Sequence, residues 1–284
     1  MIWRHATGEL DCRRGHLVGI VNATPDSFTD EGKHFGTDRS VAHGAALAEA
    51  GASVVEVGGE SLRFSDPTPA DEEIARVVPV IERLADQLEV PVAIDTFKPP
   101  VAAAAIEAGA SILNDPTGLR DDAMLQVAAA SQIGVVLTHF FGEPKVRPTS
   151  FPDVDVPGAV TQWASGAVAR AQATGIARER MVIDPGVGLG KSPEQDLDLL
   201  HRIDEVVALG RPVFIPMGNK KVIGAVTGAL AKERLAGTVA GVIWTRLRGA
   251  SIFRVHDVAF IRQALTMAEA LRDGTVDTWH EVPK

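Results

Sequence analysis

The stretch EAGASVVEV, residues 49–57, closes one kind of element and opens another. Glu49 and Ala50 end a helical pattern, and Gly51 suits the left-handed residue that turns a chain out of a helix. Ser53–Val57 then reads as a short buried strand. The same five letters, EAGAS, return at 107–111 and lead into the run Ser111–Asn114, and RGAS at 248–251 leads into Ser251–Arg254. Working outward, further strand-length apolar runs occupy Leu17–Asn22, Val92–Asp95, Val135–His139, Met181–Asp184 and Pro212–Pro216, which makes eight. Their continuous apolar character is that of parallel strands covered on both faces. Helical patterns lie between them: Ser40–Ala50, Ala70–Leu88, Pro100–Ala108, Asp121–Ser131, Pro157–Thr174 and Glu194–Leu209. Eight β-then-α units predict an α/β protein built as a single (β/α)8 TIM barrel; an open doubly wound sheet is the alternative. The barrel is expected to form one domain over 1–284, with a short lead at 1–16, an elaborated loop at 141–158 and a polar tail at 277–284.

Composition narrows the function classes. The 284 residues are 45% hydrophobic and 23% charged, the mixture of a globular protein with a large core. A net charge of -9 argues against a nucleic-acid partner, because phosphate affinity rests on clustered Lys and Arg. It leaves room for a small anionic substrate held by a few local cations. The single cysteine, Cys12, excludes an internal disulfide and reads as a bystander near a frayed N-terminus. No secretory signal is seen at 1–15, and no run approaches the ~18 apolar residues of a membrane span, so a reduced, cytoplasmic setting is the expectation.

In barrels of this kind chemistry sits at the C-terminal ends of the strands, and polar residues collect there. The strands run out into Asn22, Asp95, Asn114–Asp115, His139, Asp184, Gly218–Asn219–Lys220–Lys221 and Arg254–Val255–His256–Asp257. Asp and Asn commonly cap helices and turns, but seven of eight strands ending this way exceeds what capping requires. Asp95, Asn114 and Asp184 suit a flat heterocycle with adjacent ring N–H and amino donors. Arg63, Lys220, Arg254 and His256 offer positive charge to a polyanion, and the amide oxygen of Asn22 suits a magnesium ion upon it. A neutral floor beside a cationic rim fits a reaction that expels a diphosphate.

Six motifs in order carry a resemblance: GIVNATPDSF (19–28), VGGES (57–61), IDTFKP (94–99), ILND (112–115), IDPGVGLGK (183–191) and FRVHDV (253–258). Together they resemble the dihydropteroate synthase family over about Leu17 to Arg272. The resemblance implies a transferase of folate biosynthesis that joins 6-hydroxymethyl-7,8-dihydropterin diphosphate to p-aminobenzoate and releases diphosphate with the help of Mg2+. It assigns Asp95, Asn114, Asp184 and Lys220 to the pterin, and Asn22, Arg63, Arg254 and His256 to the diphosphate, with Asn22 at the metal. Asp95, Lys220, Arg254 and His256 are the expected catalytic set, and Asp26 and Asp30 fall in the first loop. Small-molecule substrates, a homodimer, and neither nucleic acid nor membrane follow as expected partners.

The sequence departs from the family on the arylamine side. Ser61–Leu62–Arg63–Phe64–Ser65 stands for the usual Ser-Thr-Arg-Pro-Gly, and Gly218–Asn219–Lys220–Lys221 for Ser-Arg-Lys-Ser. A hydroxyl is lost at Leu62, a stiff proline gives way to Phe64, a planar cation to neutral Asn219, and a small hydroxyl to the ammonium of Lys221. Glu56 replaces a usual aspartate, and Thr138 and Phe140 flank His139 where methionines are usual. Two readings follow: a synthase with a rebuilt amine site, or a divergent paralogue that holds a pterin-like ligand with weak or no synthase activity. A pterin-dependent methyltransferase shares the barrel but leaves Arg63, Arg254 and His256 without a task, and a pure binding protein is the non-enzymatic alternative.

Overall fold

A computed structural model describes residues 1–24, 36–62, 66–146 and 152–276. Ahead of the barrel stands a hairpin of β1 (Ile2–His5) and β2 (Gly8–Asp11), paired antiparallel. The barrel strands are β3 (His16–Asn22), β4 (Val54–Gly58), β5 (Val92–Asp95), β6 (Ile112–Asp115), β7 (Gly134–Thr138), β8 (Met181–Asp184), β9 (Phe214–Ile215) and β10 (Ile252–Val255). They form one parallel sheet in the order β8-β7-β6-β5-β4-β3-β10-β9. A parallel bridge between Ile183 and Val213 brings β8 against β9, with the Ile183 amide 3.0 Å from the Pro212 carbonyl, so the ring closes. The helices are α1 (Thr37–Glu49), α2 (Ala70–Gln87), α3 (Pro99–Glu107), α4 (Asp122–Ala130), α5 (Val156–Ala173), α6 (Pro193–His201), α7 (Ile203–Val207), α8 (Lys221–Thr227), α9 (Leu235–Leu247) and α10 (Val258–Asp273).

The two-residue period of a strand sorts its side chains to opposite faces. One set, including Leu17, Val55, Ile94, Leu113, Leu137 and Ile183, packs outward into the core shared with the helices. The other set points into the barrel, where every strand supplies one residue to a lower apolar layer: Val18, Val54, Ala93, Ile112, Val136, Val182, Phe214 and Ile252. Two residues further along the strands, the inward positions become Ile20, Glu56, Asp95, Asn114, Thr138, Asp184 and Arg254. The interior is therefore greasy at its base and polar at the end where the strands finish.

The segment 1–16, expected as a short lead, is the plug of that base. Trp3 and Cys12 pack against the lower layer, and Trp3 is 1% exposed. The Trp3 indole Nε1 donates to the Arg180 carbonyl at 2.9 Å, which satisfies the one polar group it buries. Cys12 is accordingly a buried thiol and no bystander, with burial raising its pKa to about 11. Behind the hairpin, buried Arg246 donates to the carbonyls of Arg13 and Ala250 and pairs with Glu269 at 2.6 Å. A two-strand hairpin whose residues alternate apolar and charged carries too weak a pattern to be read from letters alone.

Two boundaries also shift. The helix expected over Glu194–Leu209 is two helices, broken at Arg202 (φ -104°, ψ 29°). The strand expected over Pro212–Pro216 shortens to Phe214–Ile215, since the prolines at its ends have no N–H to give to a ladder.

Truncation of the plug at Trp3→Ala should lower the free energy of unfolding by about 3–5 kcal/mol, the usual range for a buried Trp cut to Ala. Urea denaturation followed by circular dichroism checks this, and a change under about 1 kcal/mol would mean that the base of the barrel needs no plug.

Candidate active site

The inward polar residues are joined by a connected set of hydrogen bonds. Arg254, on β10, reaches across the barrel mouth: its Nη2 donates to Asp95 Oδ2 on β5 at 2.9 Å, and its Nε donates to Glu56 Oε1 on β4. The second oxygen of Glu56 accepts from Asn114 Nδ2 at 2.9 Å. Thr138 Oγ1 lies 3.5 Å from both Asn114 Oδ1 and Asp184 Oδ2. The in-register pairs Asp95–Asn114 and Thr138–Asp184 place these side chains side by side. Glu56, Asn114 and Asp184 are buried, and buried ionic groups are tolerated only when paired; one guanidinium between two carboxylates supplies that pairing.

The same crowding moves the protonation equilibria. Burial, followed by the Glu56 carboxylate, raises Asp95 to about 7, with Arg254 pulling the other way. Burial raises Asp184 to about 6 against the opposing Gly186 N–H and the nearby Lys220 and Lys191. Lys220, half-buried, is lowered by burial. Buried carboxylates shifted toward neutrality beside named charge partners make this cluster a candidate functional centre.

The loop after β8 is shaped around Asp184. Asp184 Oδ1 accepts from the Gly186 amide at 2.7 Å. Gly186 has φ +73°, and a Cβ there would lie 1.8 Å from the His139 carbonyl, so only glycine fits. Lys191 Nζ donates to the Gly186 carbonyl at 2.9 Å and lies 3.0 Å from His139 Nδ1. Burial lowers His139 to about 3, so its ring is neutral and Nδ1 accepts from Lys191; edge-on contact with Trp163 at 5.0 Å holds the ring. Asp115, adjacent to Asn114, turns to its own loop and accepts from the amides of Thr117 and Leu119, a structural task.

Several of the remaining expected residues stand at or just beyond strand ends. Asn22 ends β3 beside Gly58 and is half-buried. His256 packs over Gly218, where a Cβ would come within 3.1 Å of its Cδ2. Lys220 crosses beside Gly188, its Nζ 3.4 Å from where a Cβ would stand. Asn219 adopts φ +53°, a conformation Asn tolerates better than most residues. Lys221, the first residue of α8, is exposed, and Leu62 is half-buried. Asp26, Asp30, Arg63 and Phe64 lie outside the described residues.

Glu56, noted in the sequence only as a change from the usual aspartate and not assigned to the site, is a member of it. Its signal was present: a carboxylate at an inward position of an otherwise apolar strand, flanked by Val54 and Gly58 at the same parity. Thr138 was noted only as a flank of His139 and Lys191 only as the end of a motif; neither was assigned to the site. Nor was a second cluster foreseen, in which Lys98 pairs with Glu60 and Glu73, each at 2.6 Å. Among the described residues no group of three or more His, Cys, Asp and Glu is placed to hold a metal.

The Asp95 shift has a signed consequence for stability. Its folded pKa, about 7, stands above the ordinary carboxylate value. The folded state therefore holds a proton that the unfolded state releases, and stability falls as pH rises from about 4 to about 7. Asp95→Asn removes this loss, so the melting temperature of the variant relative to the parent should climb over that window and level off above pH 7. A difference independent of pH would show that Asp95 titrates normally.

With this geometry in place, the comparisons are specific. A family model described as "Pterin binding enzyme" matches residues 18–256. The dihydropteroate synthase of Escherichia coli K12 is 36% identical over 262 residues, covering 92% of this chain and 93% of that protein. A probable bifunctional folylpolyglutamate synthase/dihydropteroate synthase of Haloferax volcanii is 43% identical, and the chain spans 30% of its length. A protein described as inactive dihydropteroate synthase 2, of Mycobacterium bovis, is 39% identical over 91% of this chain and 83% of its own. Among solved structures, Yersinia pestis dihydropteroate synthase in a sulfonamide complex superposes with TM-score 0.91 at 33% identity, covering 96% of this chain and all of that one.

Proposed function

Because the chain belongs to the pterin-binding enzyme family, we propose that it is a dihydropteroate synthase, condensing 6-hydroxymethyl-7,8-dihydropterin diphosphate with p-aminobenzoate and releasing diphosphate. The observation that carries this reading is the polar interior layer of Glu56, Asp95, Asn114, Thr138 and Asp184, set beside Lys220 in a barrel whose relatives are dihydropteroate synthases. A Xanthomonas albilineans dihydropteroate synthase with 7,8-dihydropteroate bound is 40% identical and superposes with TM-score 0.86 over 96% of this chain and 99% of that one.

In this reading Asp95, Asn114 and Asp184 accept the ring N–H and amino donors of the pterin, and Lys220 donates to its acceptors. Arg254 already binds Asp95 through Nη2 and Glu56 through Nε; its Nη1 donors serve the diphosphate, together with Asn22, Arg63 and His256. The bond between the pterin methylene and the diphosphate oxygen breaks, with the electron pair leaving on diphosphate. The arylamine nitrogen attacks that carbon, and its surplus proton goes to solvent. Cationic donors lower the barrier because negative charge grows on the leaving group, and loss of one such donor costs about 10²–10³ in rate. Mg2+ would be held through the amide oxygen of Asn22, and when bound would take up negative charge on the leaving group. Leu62, Phe64, Asn219 and Lys221 are the amine-site candidates that the family resemblance supplies.

The test is diphosphate release from the dihydropterin diphosphate and Mg2+, with and without p-aminobenzoate. Amine-dependent release at about 1 s⁻¹ or faster is expected, with magnesium chelation suppressing it and His256→Ala slowing it about 10²-fold. One observation favours a second reading: a relative at 39% identity is described as inactive, and the amine-side loops here are altered. In that case amine-dependent release is absent while saturable pterin binding, lost on Asp95→Ala, persists.

The homodimer belongs to the same reading. Leu230, Leu247, Phe260, Met267 and Leu271 are exposed apolar side chains on and around the neighbouring helices α9 and α10, and exposed apolar residues on adjoining helices support a pairing surface. Sedimentation should give twice the 30.0 kDa chain mass, and Leu247→Asp with Met267→Asp should give the monomer. The cytoplasm is the compartment we assign to it, in keeping with a buried cysteine that stays a free thiol.

A further inference from the structure

The cluster around Lys98 joins three loops at the C-terminal ends of the strands. Glu60 follows β4, Glu73 lies in the first turn of α2, Thr96 and Lys98 follow β5, and Lys145 lies in the long segment after β7. Lys98 Nζ reaches Glu60 Oε2 and Glu73 Oε2 at 2.6 Å each. Thr96 Oγ1 donates to Glu73 Oε1 at 2.9 Å, and the Thr68 amide donates to Glu60 Oε1 at 2.6 Å. Lys145 Nζ completes the set, 3.1 Å from Glu60 Oε1 and donating to the Ser61 carbonyl at 2.9 Å. Two carboxylates face two ammonium groups, so the cluster is neutral as a whole. The side chains of Glu60, Glu73 and Lys145 are 2%, 1% and 8% exposed.

Lys145 occupies an unusual backbone position. Glu143–Val146 forms a turn in which the Val146 amide bonds to the Glu143 carbonyl at 3.3 Å, and Lys145, following Pro144, has φ +64°. Pro at the second position and positive φ at the third describe a type II turn, whose third position ordinarily takes glycine or asparagine. A long side chain retained at a strained position is held there by its surroundings, and such positions gather at functional sites. Here the strain brings an ammonium group from the loop after β7 onto the loop after β4, next to Leu62. Most links of the cluster are local to β4, α2 and β5; the Lys145 links cross the mouth.

We propose that Lys145 is a positioning residue for the arylamine side of the site: by binding Glu60 and the Ser61 carbonyl, it fixes the wall at Ser61–Leu62 against which the amine is placed. The inference rests on the synthase reading and extends it to a residue outside the binding floor. The choice of variant separates it from a folding role. Lys145→Gly relieves the turn and removes the ammonium group, so a residue that only shaped the turn would be replaced without loss. The expected result is a rise of about tenfold in KM for p-aminobenzoate with KM for the dihydropterin diphosphate little changed, because misplacing a reactant wall costs affinity and rate steeply; the melting temperature falls, since buried Glu60 loses one of its two cations. Lys145→Arg should recover most of the effect. Amide hydrogen exchange, which needs no turnover, should quicken at Leu62 and Thr68 in Lys145→Gly. Unchanged exchange, an unchanged amine KM, or a rise in both KM values together would overturn the proposal. Absence of turnover in the parent protein would instead fall on the synthase reading, and the exchange rates would then decide alone whether Lys145 holds the loop.

Discussion

The polar half of this barrel depends on the grip of Arg254 on Glu56 and Asp95. Carboxylates from adjacent strands β4 and β5 would repel each other in a low-dielectric interior, and either alone would carry a heavy desolvation cost. A guanidinium arriving from β10, on the other side of β3, answers both at once with its planar fork of donors. With Glu56 held, its second oxygen orients Asn114, and the Thr138 hydroxyl, with one proton to give, stands between Asn114 and Asp184. The recognition floor is thus one network, and disturbing its centre disturbs the positions of residues that Arg254 does not touch.

Beneath that network the interior is hydrocarbon, and the division is a matter of parity along each strand. Inward residues near the strand starts meet Trp3 and Phe214, and those two positions later meet one another's polar groups. The helices and the plug supply the stability that the upper layer gives up. The Gly186 turn shows how tightly the two demands meet: a carboxylate is fixed by a backbone amide only because that backbone passes where no side chain can stand.

Much of this was legible in the letters. All eight barrel strands were visible as apolar runs, because parallel strands covered on both faces are apolar throughout, and Asp95, Asn114 and Asp184 stood out at their ends. Glu56 stood out only as a departure from the usual aspartate and not as a site residue, since a single charge within an apolar run gives no sign of which side chain will neutralise it; its partner Arg254 is 198 residues away in sequence. The hairpin of β1 and β2 was read as a lead because its buried face consists of little more than Trp3. The break at Arg202 was hidden by a helical period that continues across it. The cluster of Glu60, Glu73, Lys98 and Lys145 went unassigned for the same reason as Glu56: its members sit on four different elements, and each alone looks like an ordinary surface charge.

The plug also bears on the order in which the molecule can be assembled. Trp3 is made well before the residue whose carbonyl receives its indole, Arg180, and the layer it covers is incomplete until Phe214 and Ile252 have been made. Through most of synthesis the hairpin has no base to seal. Contacts of such long sequence separation form late and slowly, so an aromatic surface stays uncovered while the chain grows, the kind of exposure on which chaperones act. Closure of the ring at β8 and β9 and seating of the hairpin beneath it both wait on residues made long after Trp3.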